Sequence, residues 1–135
     1  MQRAAAVALL ARLHAAQGEF YAGGADGPLR ALLAPDIEWH VPGRNAIAGH
    51  YRGIEEVMAY FAHRRDLVAR SFRMEPGEVL VGDGDHAAVL TDGVAVVGGR
   101  EECWSTVGLY RLAGGRIAAC RLLPLDAEAF DRIWA

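Results

Sequence analysis

Charge of one sign is nowhere concentrated in this 135-residue chain, whose 14 arginines face 17 aspartates and glutamates for a net charge of −3. Without a basic run or stripe there is no electrostatic footprint for nucleic acid. Long hydrophobic runs are missing too. The stretch MQRAAAVALLARLHAA is interrupted by Arg12 and His14, so it cannot span a membrane, and no clean cleavage site follows it. It reads instead as an amphipathic helix with Leu9, Leu13, Ala16 and Phe20 on one face. Cysteine is scarce. Cys103 and Cys120 stand alone, at a spacing that fits no metal motif and without a basic neighbour in sequence to favour a thiolate. Reduced, buried thiols in a cytoplasmic protein are expected, with no metal and no cofactor. Repeats, low-complexity tracts and interdomain linkers are absent, so residues 1–135 read as one domain.

What is present is a core-forming composition, 53% hydrophobic and 23% charged, in the range of ordinary globular domains. Helix one is predicted from Arg3 to Ala22 and stops at Gly23-Gly24. Pro28 opens a short second helix, PLRALLA. Pro35-Asp36 then delivers the chain into a strand from Ile37 to Val41, closed by Pro42, which lacks an N–H. A polar loop through Arg44 and Asn45 and a turn punctuated by Gly49 and Gly53 lead to a third helix. There Ile54, Val57, Met58, Phe61 and Val68 recur at helical spacing. Glu55 and Glu56 sit in its first turn and His63, Arg64 and Arg65 near its last, matching the helix dipole; the three basic residues read as a solvated helix end. Four strands follow, Phe72 to Val81, His86 to Val97, Arg100 to Leu112 and Arg116 to Pro124, separated by Gly-rich turns as in an antiparallel meander. A final helix from Asp126 to Trp134 carries Phe130, Ile133 and Trp134 to a packing surface. The predicted class is α+β: a cone-shaped half-barrel whose curved antiparallel sheet wraps around the N-terminal helices, with a C-terminal helix.

This order, with WHVPGRNAIAGHYRGIEEVMAYF and the late GGRIAACRLLP before a terminal helix, resembles the SnoaL-like family. That family includes polyketide cyclases and belongs to the nuclear-transport-factor-2-like superfamily, together with ketosteroid isomerases. The resemblance spans nearly the whole chain and implies the half-barrel with a pocket inside it. It does not choose an activity, because the superfamily hosts isomerases, cyclases, hydrolases, dehydratases and binding modules. The family's catalytic positions are also where this sequence departs. The general base of the isomerase pattern aligns with Val41, the protonated acid of its oxyanion hole with Gly108 and its helix-one tyrosine with Gln17. The last-strand aspartate of the cyclases aligns with Leu122. None of these residues can transfer a proton, and such chemistry needs a positioned titratable group.

The catalytic candidates are therefore His40, Asp92 and Glu102. Strand alternation puts Trp39 with Val41 in the pocket and turns Glu38 and His40 away, which argues against His40. Asp92 interrupts the apolar run from Ala87 to Val97 and competes with Thr91 for the inward position; buried, its carboxyl would be pushed up into a useful range. Glu102 shares a face with Trp104, Thr106, Gly108 and Tyr110. A three-residue Ala113-Gly114-Gly115 loop pairs Thr106 with Leu122 and Gly108 with Cys120, whereas a two-residue Gly-Gly turn pairs Val107 with Leu122. The family resemblance favours the first, which lines the pocket with Trp39, Val41, Trp104, Thr106, Cys120 and Leu122. Arg44 at the pocket mouth, Tyr51 and Phe61 complete the ligand-binding candidates.

Two functions stay open. One is an enzyme acting on a small hydrophobic, polyketide- or polycycle-like molecule by acid–base chemistry such as cyclisation or isomerisation. The other is a non-catalytic ligand-binding or assembly module with an apolar pocket. A homodimer through the convex face of the sheet is expected, since both alternating sets of the later strands carry apolar residues.

Overall fold

In the computed structural model, which describes residues 2–69 and 71–135, two helices, α1 (Arg3–Tyr21) and α2 (Gly27–Arg30), precede β1 (Leu33–Val41) and β2 (Gly49–Arg52). Then come α3 (Gly53–Leu67), β3 (Arg73–Val81), β4 (His86–Val97), β5 (Arg100–Ala113), β6 (Arg116–Pro124) and α4 (Ala127–Ile133). The six strands form one sheet in the order β2-β1-β6-β5-β4-β3. All neighbours are antiparallel except β1 and β6, which run parallel. The α+β class holds, with a curved sheet, N-terminal helices against its inner face and α4 at one end. Three local expectations are corrected. The second helix ends at Arg30, before PLRALLA is complete, and β1 starts four residues earlier than expected, at Leu33. Pro35 is tolerated inside β1 because the ladder is interrupted between Leu33 and Glu38. The segment between Gly49 and Gly53 is a strand, paired to β1 through Trp39↔Tyr51 and His40↔His50.

The helical stripes read from the sequence are the ones buried. On α1 these are Leu9, Leu13, Ala16 and Phe20, joined by Ala6, Leu10, Gln17 and Tyr21. On α3 they are Val57, Met58 and Phe61, joined by Tyr60 and Arg64. Aromatic rings knit the layers: Trp39 of β1 meets the edge of Phe61 at 4.9 Å, and Tyr21 stacks on Phe72 at 4.8 Å. The loop after β1 is tied to α4, because one Asp131 carboxylate oxygen accepts from the Arg44 backbone N–H and from the Asn45 amide.

The β5–β6 hairpin decides which side chains face the helices. Gly114 and Gly115 have φ of 59° and 74° and form a two-residue turn between the paired Ala113 and Arg116, the geometry that needs left-handed backbone at both positions. The three-residue loop is therefore corrected. Carried unbroken, this turn would put Val107 opposite Leu122. A bulge between Arg111 and Leu112 inserts Ala118 into β6 and shifts the register by one, so Gly108 faces Leu122 and Tyr110 faces Cys120. Thr106, Gly108, Cys120 and Leu122 thus share the inner face with Tyr110, by a different route from the expected one.

Candidate functional site

The inner faces of β3, β4 and β5 meet α1 and α3 around a cavity of about 30 Å³. Two glycines shape its floor. A Cβ on Gly93 would come within 2.6 Å of the Trp104 ring on the neighbouring strand. A Cβ on Gly108 would come within 2.7 Å of the Tyr110 ring and 2.8 Å of its hydroxyl. Each missing side chain lets a ring lie flat across the sheet. The Tyr110 phenol thus occupies the space where a side chain at position 108 would begin.

The described core contains three buried polar or charged residues, Gln17, Arg64 and Thr106, exposed by 2%, 4% and 6%. All three line this one cavity. Arg64 corrects the reading of the third helix's basic end. Only His63 and Arg65 are peripheral there, the first at the Ala46 carbonyl and the second over Phe20 and beside Asp66. Arg64 continues the Tyr60–Phe61 stripe inward. Its Nε and Nη2 both donate to the Tyr21 hydroxyl, at 2.9 and 2.6 Å. The guanidinium also lies 5.1, 5.2 and 4.8 Å from the ring centres of Tyr21, Tyr60 and Phe72, an aromatic cage for a cation. Among the described residues no carboxylate pairs with it, and Nη1 makes no hydrogen bond. Gln17 and Thr106 likewise make no side-chain hydrogen bond among the described residues, and the buried indole N–H of Trp39 in the same wall has no partner. Buried polar groups are normally satisfied, so such a concentration in one cavity marks a site rather than a core.

His14 of α1 completes the cavity. Burial holds its pKa below the ordinary 6.5, and a hydrogen bond to the Leu10 backbone opposes this only in part. The imidazole is therefore neutral at pH 7, with one nitrogen held at the Leu10 carbonyl and a lone pair left on the other. It sits edge-on to Tyr110, with ring centres 6.3 Å apart. Burial also keeps the Tyr110 phenol protonated, well above its ordinary pKa, in hydrogen-bond contact with Cys120.

Of the residues expected in the site, Trp39, Trp104, Thr106 and Leu122 line the cavity, and Thr91 takes the inward place for which it competed with Asp92. Asp92 is exposed on the outer face and accepts from the Ser105 hydroxyl at 2.6 Å. His40 also faces outward, beside His50 and Arg121, with its pKa lowered by burial and then by those two neighbours. Glu102 lies beyond the cavity at the end of its strand, paired with Arg132 of α4 at 3.4 Å. Their assignment as acid–base groups of the pocket is therefore corrected on position. Val41 and Phe61 are buried structural residues outside the cavity lining, and Cys120 stands behind Tyr110. The Tyr51 hydroxyl donates to the Ile47 carbonyl and its ring stacks on Tyr60. The Arg44 side chain is exposed. Among the described residues no cluster of three or more His, Cys, Asp or Glu could hold a metal.

His14 and Arg64 were missed as site residues, and Gln17 was set aside as unable to transfer a proton. A signal existed for each: His14 and Gln17 fall on the apolar stripe of α1 after Leu10 and Leu13, and Arg64 lies three and four residues after Phe61 and Tyr60.

Residues 18–120 match the SnoaL-like domain, and the chain belongs to that family. It is 31% identical over 116 residues to an uncharacterized protein of Mycobacterium tuberculosis, covering 85% of this chain and 88% of that one. Among solved structures it resembles Bal32a, from a soil-derived mobile gene cassette, with a TM-score of 0.89, 24% identity and 97% of each chain covered. TerC, co-crystallised with polyporic acid, superposes with a TM-score of 0.78 at 18% identity, covering 96% of this chain and 97% of that one. NTF2-like proteins of two Burkholderia species share the architecture, which is thus NTF2-like.

Proposed function

We propose that this SnoaL-like protein binds a small, largely apolar molecule by its polar head in the inner cavity and transfers a proton on it, with His14 as the base. The observation that carries this reading is the gathering of Gln17, Arg64 and Thr106 around one cavity, beside an imidazole kept neutral by burial. A C–H next to a carbonyl gives its proton to the free His14 nitrogen, and the electron pair moves onto the carbonyl oxygen. Arg64, through its unengaged Nη1, supplies a charge-assisted donor for that oxygen. Return of the proton from His14 to the far carbon of a conjugated enolate completes an isomerisation; attack of the enolate carbon on a second carbonyl of the same molecule, with the His14 proton passing to the new alkoxide, completes a cyclisation. TerC, which shares this architecture, was co-crystallised with polyporic acid, a small organic acid, which supports a small-molecule ligand on this fold.

Solvent-deuterium uptake tests the step directly. Cyclic enones and aryl ketones incubated with the protein in D₂O should exchange their α-hydrogens faster with wild type than with His14→Gln. Binding of such compounds without exchange in either protein would replace the enzyme by the binding module. We also propose that the protein works as a homodimer. Leu90, Leu109 and Leu123 are large apolar side chains exposed on the outer face, and a second copy is the simplest cover for them.

A further inference from the structure

The inner cavity is too small for the molecule just described. About 30 Å³ accommodates roughly two waters, the size of a carboxylate or a single enolate group. A second, larger space begins where it ends. Between α1 and β3 runs a groove of about 430 Å³ lined by Val7, Leu10, Ala11, Ala15, Pro76 and Val79, a volume that suits a ring system. His14 and Met74 line both the groove and the cavity. The strand on this side is the edge of the sheet, and its ladder is broken by a bulge between Pro76 and Val79. The bulge bends β3 at the groove, and a bulge beside a site is a common device for opening one.

The two spaces differ in chemistry as well as size. Apart from His14 the groove is apolar, whereas the cavity ends on the desolvated Arg64, whose Nη1 is unengaged and which lacks a carboxylate among the described residues. A guanidinium withdrawn from water is stabilised most by an anion that reaches it through charge-assisted hydrogen bonds. We propose that the ligand is an amphipathic organic anion, its apolar body lying in the α1–β3 groove and its oxyanion head passing between His14 and Met74 to Arg64. This rests on the reading of the inner cavity as the site and adds the charge of the ligand and the place of its body.

Binding of 4-phenylbutyrate and of its primary amide, measured by calorimetry at pH 7.5, tests it without any turnover. Wild type should bind the acid at least about 10-fold more tightly than the amide, about the value of one charge-assisted pair. Ala11 is exposed on the groove wall, so Ala11→Trp should fold normally, fill the groove and weaken both compounds about 10-fold or more. Arg64→Met should bind acid and amide alike. If that variant does not fold, the wild-type ratio and Ala11→Trp still decide. Equal binding of acid and amide by wild type would overturn the charge assignment, and unchanged binding by Ala11→Trp would overturn the groove. His14→Gln separates the two proposals: it should keep the preference for the acid even if proton transfer proves absent.

Discussion

The two faces of the sheet are built from the same strands in alternation, yet they treat polar groups in opposite ways. On the outer face such groups are numerous and satisfied by one another: Asp92 takes the Ser105 hydroxyl, and Glu38 lies 3.4 Å from His50 and 3.6 Å from Arg52. On the inner face they are few and buried: Gln17 and Thr106 make no side-chain hydrogen bond among the described residues, and Arg64 is held by the Tyr21 hydroxyl and its aromatic cage with no carboxylate among the described residues. The lesson concerns how a site is recognised. Titratable identity singles out Asp92, exposed and bonded to Ser105, and His40, whose buried Nδ1 has no partner but which faces away from the cavity. The clustering of the described buried polar and charged residues around one space points instead to the inner cavity, where desolvation strengthens every electrostatic interaction.

The largest expected effect would break this comparison if it failed. His14→Gln keeps the approximate shape but removes the base, so turnover should fall about 100-fold or more with binding retained. His40→Gln and Asp92→Asn, on the outer face, should each stay within about twofold of wild type. A reversed result, with either outer variant inactive and His14→Gln active, would move the chemistry to the other side of the sheet. The next effect is on stability. Gly108→Ala forces a Cβ against the buried ring of Tyr110 and should cost about 1–3 kcal/mol by denaturant unfolding. Gly93→Ala meets Trp104, which is only half-buried and can yield, so its cost should be smaller. The outer face should respond in its own way: Leu109→Glu places a charge in the apolar patch and should convert a dimer to a monomer by light scattering, leaving the fold intact. A wild type that is already monomeric at micromolar concentration would remove the dimer.

Much of the fold was legible because its signals are local. The stripes of α1 and α3, the glycine turns and the alternation of the long strands each reflect one periodicity. The β2 strand was hidden because GHYR is too short to show alternation. The parallel β1–β6 pairing joins segments far apart in sequence, and no local pattern announces it. The inner face of β5 and β6 came out as expected only because the bulge at Ala118 cancels the change of turn, and nothing in RIAACRLLP marks that extra residue. The site was harder still. Arg64 matches a solvated helix end by charge and dipole, and it is drawn inward by Tyr21 of the first helix and by Phe72, which lies beyond the end of its own helix. Its spacing from Tyr60 and Phe61 fits the inward stripe, but nothing local announces the Tyr21 and Phe72 side of the cage that makes the position habitable.

The smallest expected effect sharpens the contrast between the two faces through pH. His14 and His40 both have pKa values held below 6.5 in the folded state, so both oppose folding in acid. Well above pH 6.5 neither histidine binds a proton in either state, and neither contributes to the pH dependence. As pH falls through 6.5 the unfolded chain takes up protons that the folded chain resists, and stability declines until the folded-state values are also passed. The causes differ by face. For His14 the shift comes from burial, which salt does not screen. For His40 burial is joined by repulsion from Arg121 and His50, which salt weakens. Urea unfolding at pH 7.5 and pH 5.0 should therefore show a smaller acid loss for His14→Gln than for wild type, by the same amount at low and high salt. His40→Gln should also reduce the acid loss, but by less at high salt than at low. If His14→Gln loses as much stability as wild type between the two pH values, the imidazole is not desolvated in the folded protein and its neutrality as a base loses its physical cause.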